Sequence, residues 1–298
     1  MKHLFKTGML AVLFAAGLFA TPAKTKAQQV SVSFQLFYDQ LSPYGQWVDY
    51  PEYGYAWIPS VSAGFSPYST DGHWVLTDQG WTWVSDYAWG WAAFHYGRWL
   101  YNPMYGWVWI PDTQWGPAWV SWRRSAGYYG WAPLGPGISI SVALGGGYSI
   151  PAERWVFVKE GYINRPDVRR YYVPRSQNVT IIKNTTVIKN TYVDKSRNVT
   201  YVAGPDKVDV EKHTGRVIKP VVIQESAKPA QSVSKDKMVV YRPQIKQADD
   251  NGKKPVPQKV VALKDYKNNN AQKTESKPAA NSNTNKPKQK PKSKPPVK

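Results

Sequence analysis

Gly45-Gln46-Trp47-Val48, followed by Gly54-Tyr55-Ala56-Trp57-Ile58-Pro59, is the stretch on which the fold turns. It comes back twice. One copy is Gly72-His73-Trp74-Val75 with Gly80-Trp81-Thr82-Trp83-Val84, the other Gly97-Arg98-Trp99-Leu100 with Gly106-Trp107-Val108-Trp109-Ile110-Pro111. The step from first to second glycine is 9, 8 and 9 residues, and successive copies begin 27 and 25 residues apart. The enclosing segment, Tyr44 to Pro133, holds 14 Trp, 11 Tyr and 2 Phe in 90 residues.

Within each phrase aromatics recur at i and i+2, as in Tyr55/Trp57, Trp81/Trp83 and Trp107/Trp109. Trp89/Trp91 shows the same step. A period of two puts both rings on one face of a strand, whereas helical geometry separates them. Asp78-Gln79-Gly80 and Asn102-Pro103 are turn chemistry. Each phrase therefore predicts a β-hairpin whose second glycine adopts a backbone conformation closed to other residues. One hairpin alone is marginal in water, so the copies are expected to share a sheet or barrel-like domain. The fold class is all-β.

Outward from the repeat, residues 1–27 read as a signal peptide. Lys2 and Lys6 precede the apolar run Gly8 to Ala20, and Thr25-Lys26-Ala27 offers small residues before Gln28. The run is too short for an ordinary membrane span, and none is expected in the mature chain. Residues 28–175 are expected to form the Trp/Gly-rich domain. It opens with a strand at Gln29 to Gln40 and includes strands at Ile138 to Leu144 and Arg154 to Val158, then a helical turn at Pro166 to Arg170. Residues 176–224 are an Asn/Thr/Val-rich, β-prone extension with a short helix at Asp206 to His213, ended by Gly215. Residues 225–298, rich in Lys and Pro, are expected to be a disordered tail.

The formal charge of +19 is segregated. Residues 28–175 carry 9 Arg+Lys against 10 Asp+Glu, and residues 225–298 carry 18 against 6. From Tyr44 to Pro133 the cations are Arg98, Arg123 and Arg124 alone. A nucleic-acid surface interleaves basic and stacking residues, so this pattern argues against nucleic acid. The tail suits anionic envelope polymers, lipid headgroups, or solubility. With no cysteine, the chain has no disulfide, no thiol chemistry and no cysteine-ligated metal.

Catalytic patterns are lacking. His73, His95 and Asp71 have no metal-ligand spacing, and Gly145-Gly146-Gly147 lacks the Lys-Ser/Thr ending of a phosphate loop. Asp49, Glu52, Asp71, Asp78, Asp86 and Asp112 fall mainly at expected turns. No cofactor, metal or catalytic residue is expected.

Two runs carry a resemblance. Trp81-Thr82-Trp83-Val84-Ser85 leads to Tyr87-Ala88-Trp89-Gly90-Trp91-Ala92 and His95-Tyr96-Gly97-Arg98-Trp99. Gly106-Trp107-Val108-Trp109 leads to Trp115-Gly116-Pro117-Ala118-Trp119-Val120-Ser121-Trp122 and Tyr129-Gly130-Trp131-Ala132-Pro133. Over roughly residues 40–225 the chain resembles exported bacterial proteins with YXWGXW/WXXGXW tryptophan-glycine repeats, a family classed as a domain of unknown function. The resemblance implies a β-rich aromatic domain exported to the envelope, and it carries no established activity.

The expected function is a non-enzymatic exported protein of the periplasm or cell surface. Its ligand is a cell-wall glycan or another envelope component, met through Trp81, Trp83, Trp89, Trp91, Trp99, Trp107, Trp109, Trp115 and Trp119. The alternatives are a structural protein that self-associates without a small ligand and, third, an envelope hydrolase with two carboxylates across a cleft.

Overall fold

A computed structural model describes residues 31–266. The expected signal peptide, residues 1–27, and the last part of the lysine-rich tail, residues 267–298, lie outside the described residues.

In chain order the elements are β1 (Ser31–Ser33), α1 (Gln35–Leu41), β2 (Gly45–Tyr50), β3 (Gly54–Pro59), β4 (Gly72–Thr77), β5 (Gly80–Ser85), α2 (Gly90–Ala93), β6 (Arg98–Asn102) and β7 (Gly106–Ile110). Then come β8 (Val120–Ser125), β9 (Tyr128–Pro133), α3 (Ile140–Leu144), β10 (Val156–Lys159), α4 (Asn178–Lys183), β11 (Thr186–Val187), β12 (Thr191–Asp194) and β13 (Val199–Val202). Last are α5 (Lys207–Thr214), β14 (Val222–Glu225), β15 (Gln231–Val233), β16 (Lys237–Val240), β17 (Gln244–Lys246) and β18 (Val260–Ala262). The protein is mainly strand with a few short helices.

The three phrases are the hairpins β2–β3, β4–β5 and β6–β7, and β8–β9 is a fourth. Each places one tryptophan opposite another: Trp47 and Trp57, Trp74 and Trp83, Trp99 and Trp109, Trp122 and Trp131. Cross-strand partners stand close enough for their rings to meet. The turn glycines Gly54, Gly80, Gly106 and Gly127 have φ of 71°, 101°, 75° and 94°, the left-handed region expected for the second glycine of each phrase.

The hairpins do not merge into one sheet. The first and third join through a single bridge, Trp57 to Trp109, in the five-stranded order β18-β2-β3-β7-β6. The fourth lies in β10-β9-β8-β11, while β4–β5 stands alone. A tryptophan cluster joins the second hairpin to the fourth, with Trp74 at 4.5 Å from Trp122 and 5.5 Å from Trp131. One continuous aromatic core replaces a continuous sheet.

Several local expectations change. In the described part of the opening segment only Ser31–Ser33 is strand, because Phe34, Phe37, Tyr38 and Leu41 sit at helical spacing and turn their side chains to the core along α1. Ile140–Leu144 is a helix whose Ser139 hydroxyl accepts from the Val142 N–H. Asn178–Lys183 is also helical, anchored where the buried Asn178 amide donates to the Ala152 and Trp155 carbonyls at 2.8 Å each. Trp89 and Trp91 flank the start of α2, not a strand. The helix ended by Gly215 (φ 66°) forms as expected, with the Asp206 carboxylate capping it.

The larger correction concerns the tail. Residues 231–246 form β15, β16 and β17, and Met238, Val240 and Ile245 enter the same core as the tryptophans. β17 pairs with β1, and β18 extends the sheet beside β2. The compact body therefore does not stop at residue 175, and disorder does not begin at 225. The alternation in Lys237-Met238-Val239-Val240 is a local strand signal that the surrounding lysine and proline conceal.

Candidate functional site

Of the nine tryptophans expected on a binding surface, eight are interior and between 0 and 3% exposed. Trp81 donates its indole N–H to the Pro205 carbonyl at 3.0 Å, and Trp109 to the Tyr96 carbonyl at 2.8 Å. Trp83 packs on Trp74, and Trp91 on Phe37 and Tyr241. Trp89 is stacked on Tyr87 and Phe94, and Trp99 leans on Phe65. Trp115 stacks on the buried His95 ring, and Trp119 donates to the His95 carbonyl beneath the Arg98 guanidinium, 3.5 Å from its centroid. Trp107 alone is only partly covered. Their burial leaves almost no ring surface for a ligand, and of the eight only Trp115 borders one of the hollows described below. Packing against non-local segments covers them, which strand periodicity does not reveal.

An open aromatic site exists elsewhere, and tyrosines line it. The turn between β8 and β9 ends at Tyr128, and that turn is pinned to the segment after β10. Gly127 N–H donates to the Glu160 carboxylate, and the Glu160 N–H to the Gly127 carbonyl, both at 3.1 Å. On one side of Tyr128 lies a hollow of about 600 Å³ that Ser125, Ser176, Gln177, Thr180, Ile181 and Asn184 help to line. On the other lies one of about 490 Å³, edged by Lys159, Tyr162, Tyr171, Tyr172, Val173 and Pro174. Tyr128 and Gln177 belong to both, so the two hollows adjoin and are described together as the tyrosine groove.

Short helical turns set its walls. Tyr162 and Tyr171 come from two of them and stack at 4.2 Å with their planes 7° apart. Arg165 reaches across, donating to the Tyr171 hydroxyl at 3.4 Å while pairing with Asp167 at 3.3 Å. Tyr172 is anchored edge-on against Trp131 at 5.7 Å, and burial pushes its hydroxyl pKa upward. α4 supplies Thr180, and Asn184 follows at its C-terminal end. Aromatic faces beside amides, hydroxyls and a cationic rim suit a ligand with flat apolar patches edged by hydroxyls, the chemistry of a saccharide.

The other expected residues fare differently. His95 is sealed, with its ring nitrogens 3.0 Å from the Gly116 carbonyl and 2.9 Å from the Gln231 side-chain oxygen. His73 borders a separate hollow of about 440 Å³ with Asp86, Tyr87 and Gln231, and burial lowers its pKa against the opposing pull of Asp86. A fourth hollow, about 420 Å³, lies among Trp115, Arg197, Asn198 and Gln244. None of these four hollows brings two carboxylates together, as acid/base hydrolysis of a glycoside requires. Among the described residues no group of three or more His, Asp or Glu is arranged to hold a metal ion. No described helix is long and apolar enough to cross a membrane.

Sequence reasoning missed the tyrosine groove because its walls come from three separated segments. The one local signal was Arg170-Tyr171-Tyr172-Val173-Pro174, which marks adjacent rings beside a rigid residue.

Fold and site together define a β-rich protein with a tryptophan core and an open tyrosine groove. DUF6600, a family of unknown function, matches residues 38–138, the span of the four hairpins. No curated protein and no solved structure matches the chain.

Proposed function

We propose that this is a non-enzymatic, exported protein of the cell envelope that binds cell-wall glycan in the tyrosine groove. The observation that carries this reading is the pair of adjoining hollows on either side of Tyr128, with four tyrosines interleaved among uncharged hydrogen-bonding side chains. Rings stack on the C–H faces of sugars while Gln177, Ser176, Thr180 and Asn184 meet hydroxyls. Lys159 and Arg165 favour a glycan that carries some anionic groups. Export rests on the leader-like residues 1–27, and the Trp/Gly phrases support kinship with the YXWGXW-type exported proteins.

The test is retention of the mature chain, from Gln28 onward, on insoluble peptidoglycan and on neutral polysaccharides in low and high salt. Tyr171→Ala and Tyr128→Ala should each weaken retention about tenfold, one stacking contact's worth. Circular dichroism should show both variants still folded, with a modest fall in thermal midpoint because each ring also packs on the core. Retention equal to the parent's in both variants would remove the groove from the mechanism. Retention that vanishes in high salt would assign it to the lysine-rich tail instead.

A further inference from the structure

We propose that the hollow edged by Tyr162 and Tyr171 seats an anionic group of the glycan, a carboxylate or a phosphate, held by Arg165 and Arg170 with Lys159. The inference rests on the glycan reading above and adds the chemical class and the orientation of the ligand.

The first observation is where the cations fall. Residues 28–175 carry nine Arg+Lys, and five of them lie between Lys159 and Arg175, against two carboxylates. The other four are engaged elsewhere. Arg98 is buried on Trp119, and Arg123 donates to the Thr185 hydroxyl at 2.6 Å. Arg124 pairs with Asp209 at 2.8 Å, and Arg154 lies 5.2 Å over Tyr101. Within the cluster, Arg169 pairs with Asp71 at 3.4 Å. Glu160 offsets little at the surface, because it is buried between the Gly127 N–H and His213.

Geometry gathers the remaining charge at one end of the groove. Lys159 edges the same hollow as Tyr162, Tyr171 and Tyr172. The Arg165 guanidinium carbon lies 5.6 Å from the centre of the Tyr171 ring, and its Nη2 donates to the Tyr171 hydroxyl at 3.4 Å. Asp167 ties Arg170 to this pair. One of its carboxylate oxygens is 3.3 Å from Arg165 Nε, the other 4.0 Å from Arg170 Nε. Two guanidinium groups thus share one carboxylate. Three cations, Lys159, Arg165 and Arg170, face one Asp167, and the Arg170 side chain is 81% exposed. Guanidinium forks match the paired oxygens of a carboxylate or phosphate, so the exposed Arg170 fork offers an incoming anion a bidentate contact. The hollow on the other side of Tyr128 is lined by no charged residue. An acidic saccharide therefore has one favoured orientation, its anionic group toward Tyr171 and its uncharged part toward Thr180.

Two matched pairs of soluble probes test this: tetragalacturonate against its methyl ester, and mannopentaose phosphate against mannopentaose. Calorimetry of the mature chain, from Gln28 onward, should give at least one acid an affinity about tenfold above that of its neutral partner. The pair that does so identifies carboxylate or phosphate. Arg165→Gln combined with Arg170→Gln should bring that acid down to the affinity of its neutral partner, with circular dichroism unchanged. Lys189→Gln combined with Lys195→Gln removes the same charge from exposed positions beside β12 and should leave the preference alone. Higher salt should shrink the preference more than the affinity for the neutral partner. Equal affinity for acid and neutral partners in the parent would overturn the proposal and leave glycan binding in the groove intact. A preference that survives loss of the two arginines, or that loss of the two lysines lowers as much, would overturn it too, since net charge would then account for it. If neither acid binds, the proposal also falls, and retention of the tyrosine variants on peptidoglycan decides the glycan reading separately.

Discussion

At Gly45, Gly72 and Gly97 a side chain has nowhere to go. A Cβ on Gly45 would run into the Ile58 carbonyl and the Trp57 indole, on Gly72 into the Val84 carbonyl and Trp83, and on Gly97 into the Ile110 carbonyl and Trp109. The first glycine of every phrase therefore lets the tryptophan of the opposite strand lie flat across the backbone. Gly97 also has a φ of 67°, which a side chain strains further. Gly97→Ala should cost about 2 kcal/mol or more, from overpacking and backbone strain together, read as a lower urea midpoint with an unchanged slope. Gly64→Ala, which meets open space, should be close to neutral. The G-x-W spelling announced that glycine was needed. The turn conformation at the second glycine was legible too, but not that the first glycine serves close approach.

Among elements, the hairpins were the most legible, since each is local and its period of two is repeated. Short helices were the least legible. The rings of α1 obey helical spacing, yet Val30, Val32, Phe34 and Leu36 alternate as a strand would, and only packing against Trp47, Trp91 and Trp109 decides between them. β15, β16 and β17 went unread because composition averaged over a lysine-rich stretch hides a few buried side chains. They are not accessory. Gln231 bonds His95, the Tyr96 hydroxyl donates to the Pro243 carbonyl at 2.6 Å, and Tyr241 packs on Trp91. A chain that stops after Gln224 should therefore lose several kcal/mol, since burying Met238, Val240 and Ile245 is worth about 1.5–3 kcal/mol each. Near-UV circular dichroism and the thermal midpoint should both fall, whereas a chain ending at Tyr266 should keep them. Equal stability of the two chains would return residues 225–266 to the status of a tail.

For the whole molecule, the separation of charge from aromatics predicts different salt responses for the proposed groove and for the lysine-rich tail. Retention on glycan, held by rings and uncharged side chains, should survive high salt. Retention held by the lysines of the tail should instead fall steeply as the Debye length shortens from about 30 Å at 0.01 M to about 3 Å at 1 M. One salt titration of the mature chain on insoluble peptidoglycan separates the two. Complete release as salt rises would mean that an electrostatic contact accounts for the retention.

By itself the sequence determined the hairpins, their turn glycines, the β-rich class and the segregation of charge. These depend on neighbours within a few residues, where period and backbone freedom leave little choice. Tertiary structure alone decided which rings face solvent. A period of two says which side of a strand a tryptophan occupies, not whether another segment covers that side. Here α1, the stretch around His95 and Tyr96, and the strands after residue 221 cover nearly all of them. The open groove instead arises where Tyr128, Lys159 to Tyr172 and Ser176 to Asn184 converge, segments far apart in the chain whose meeting only the packed core dictates.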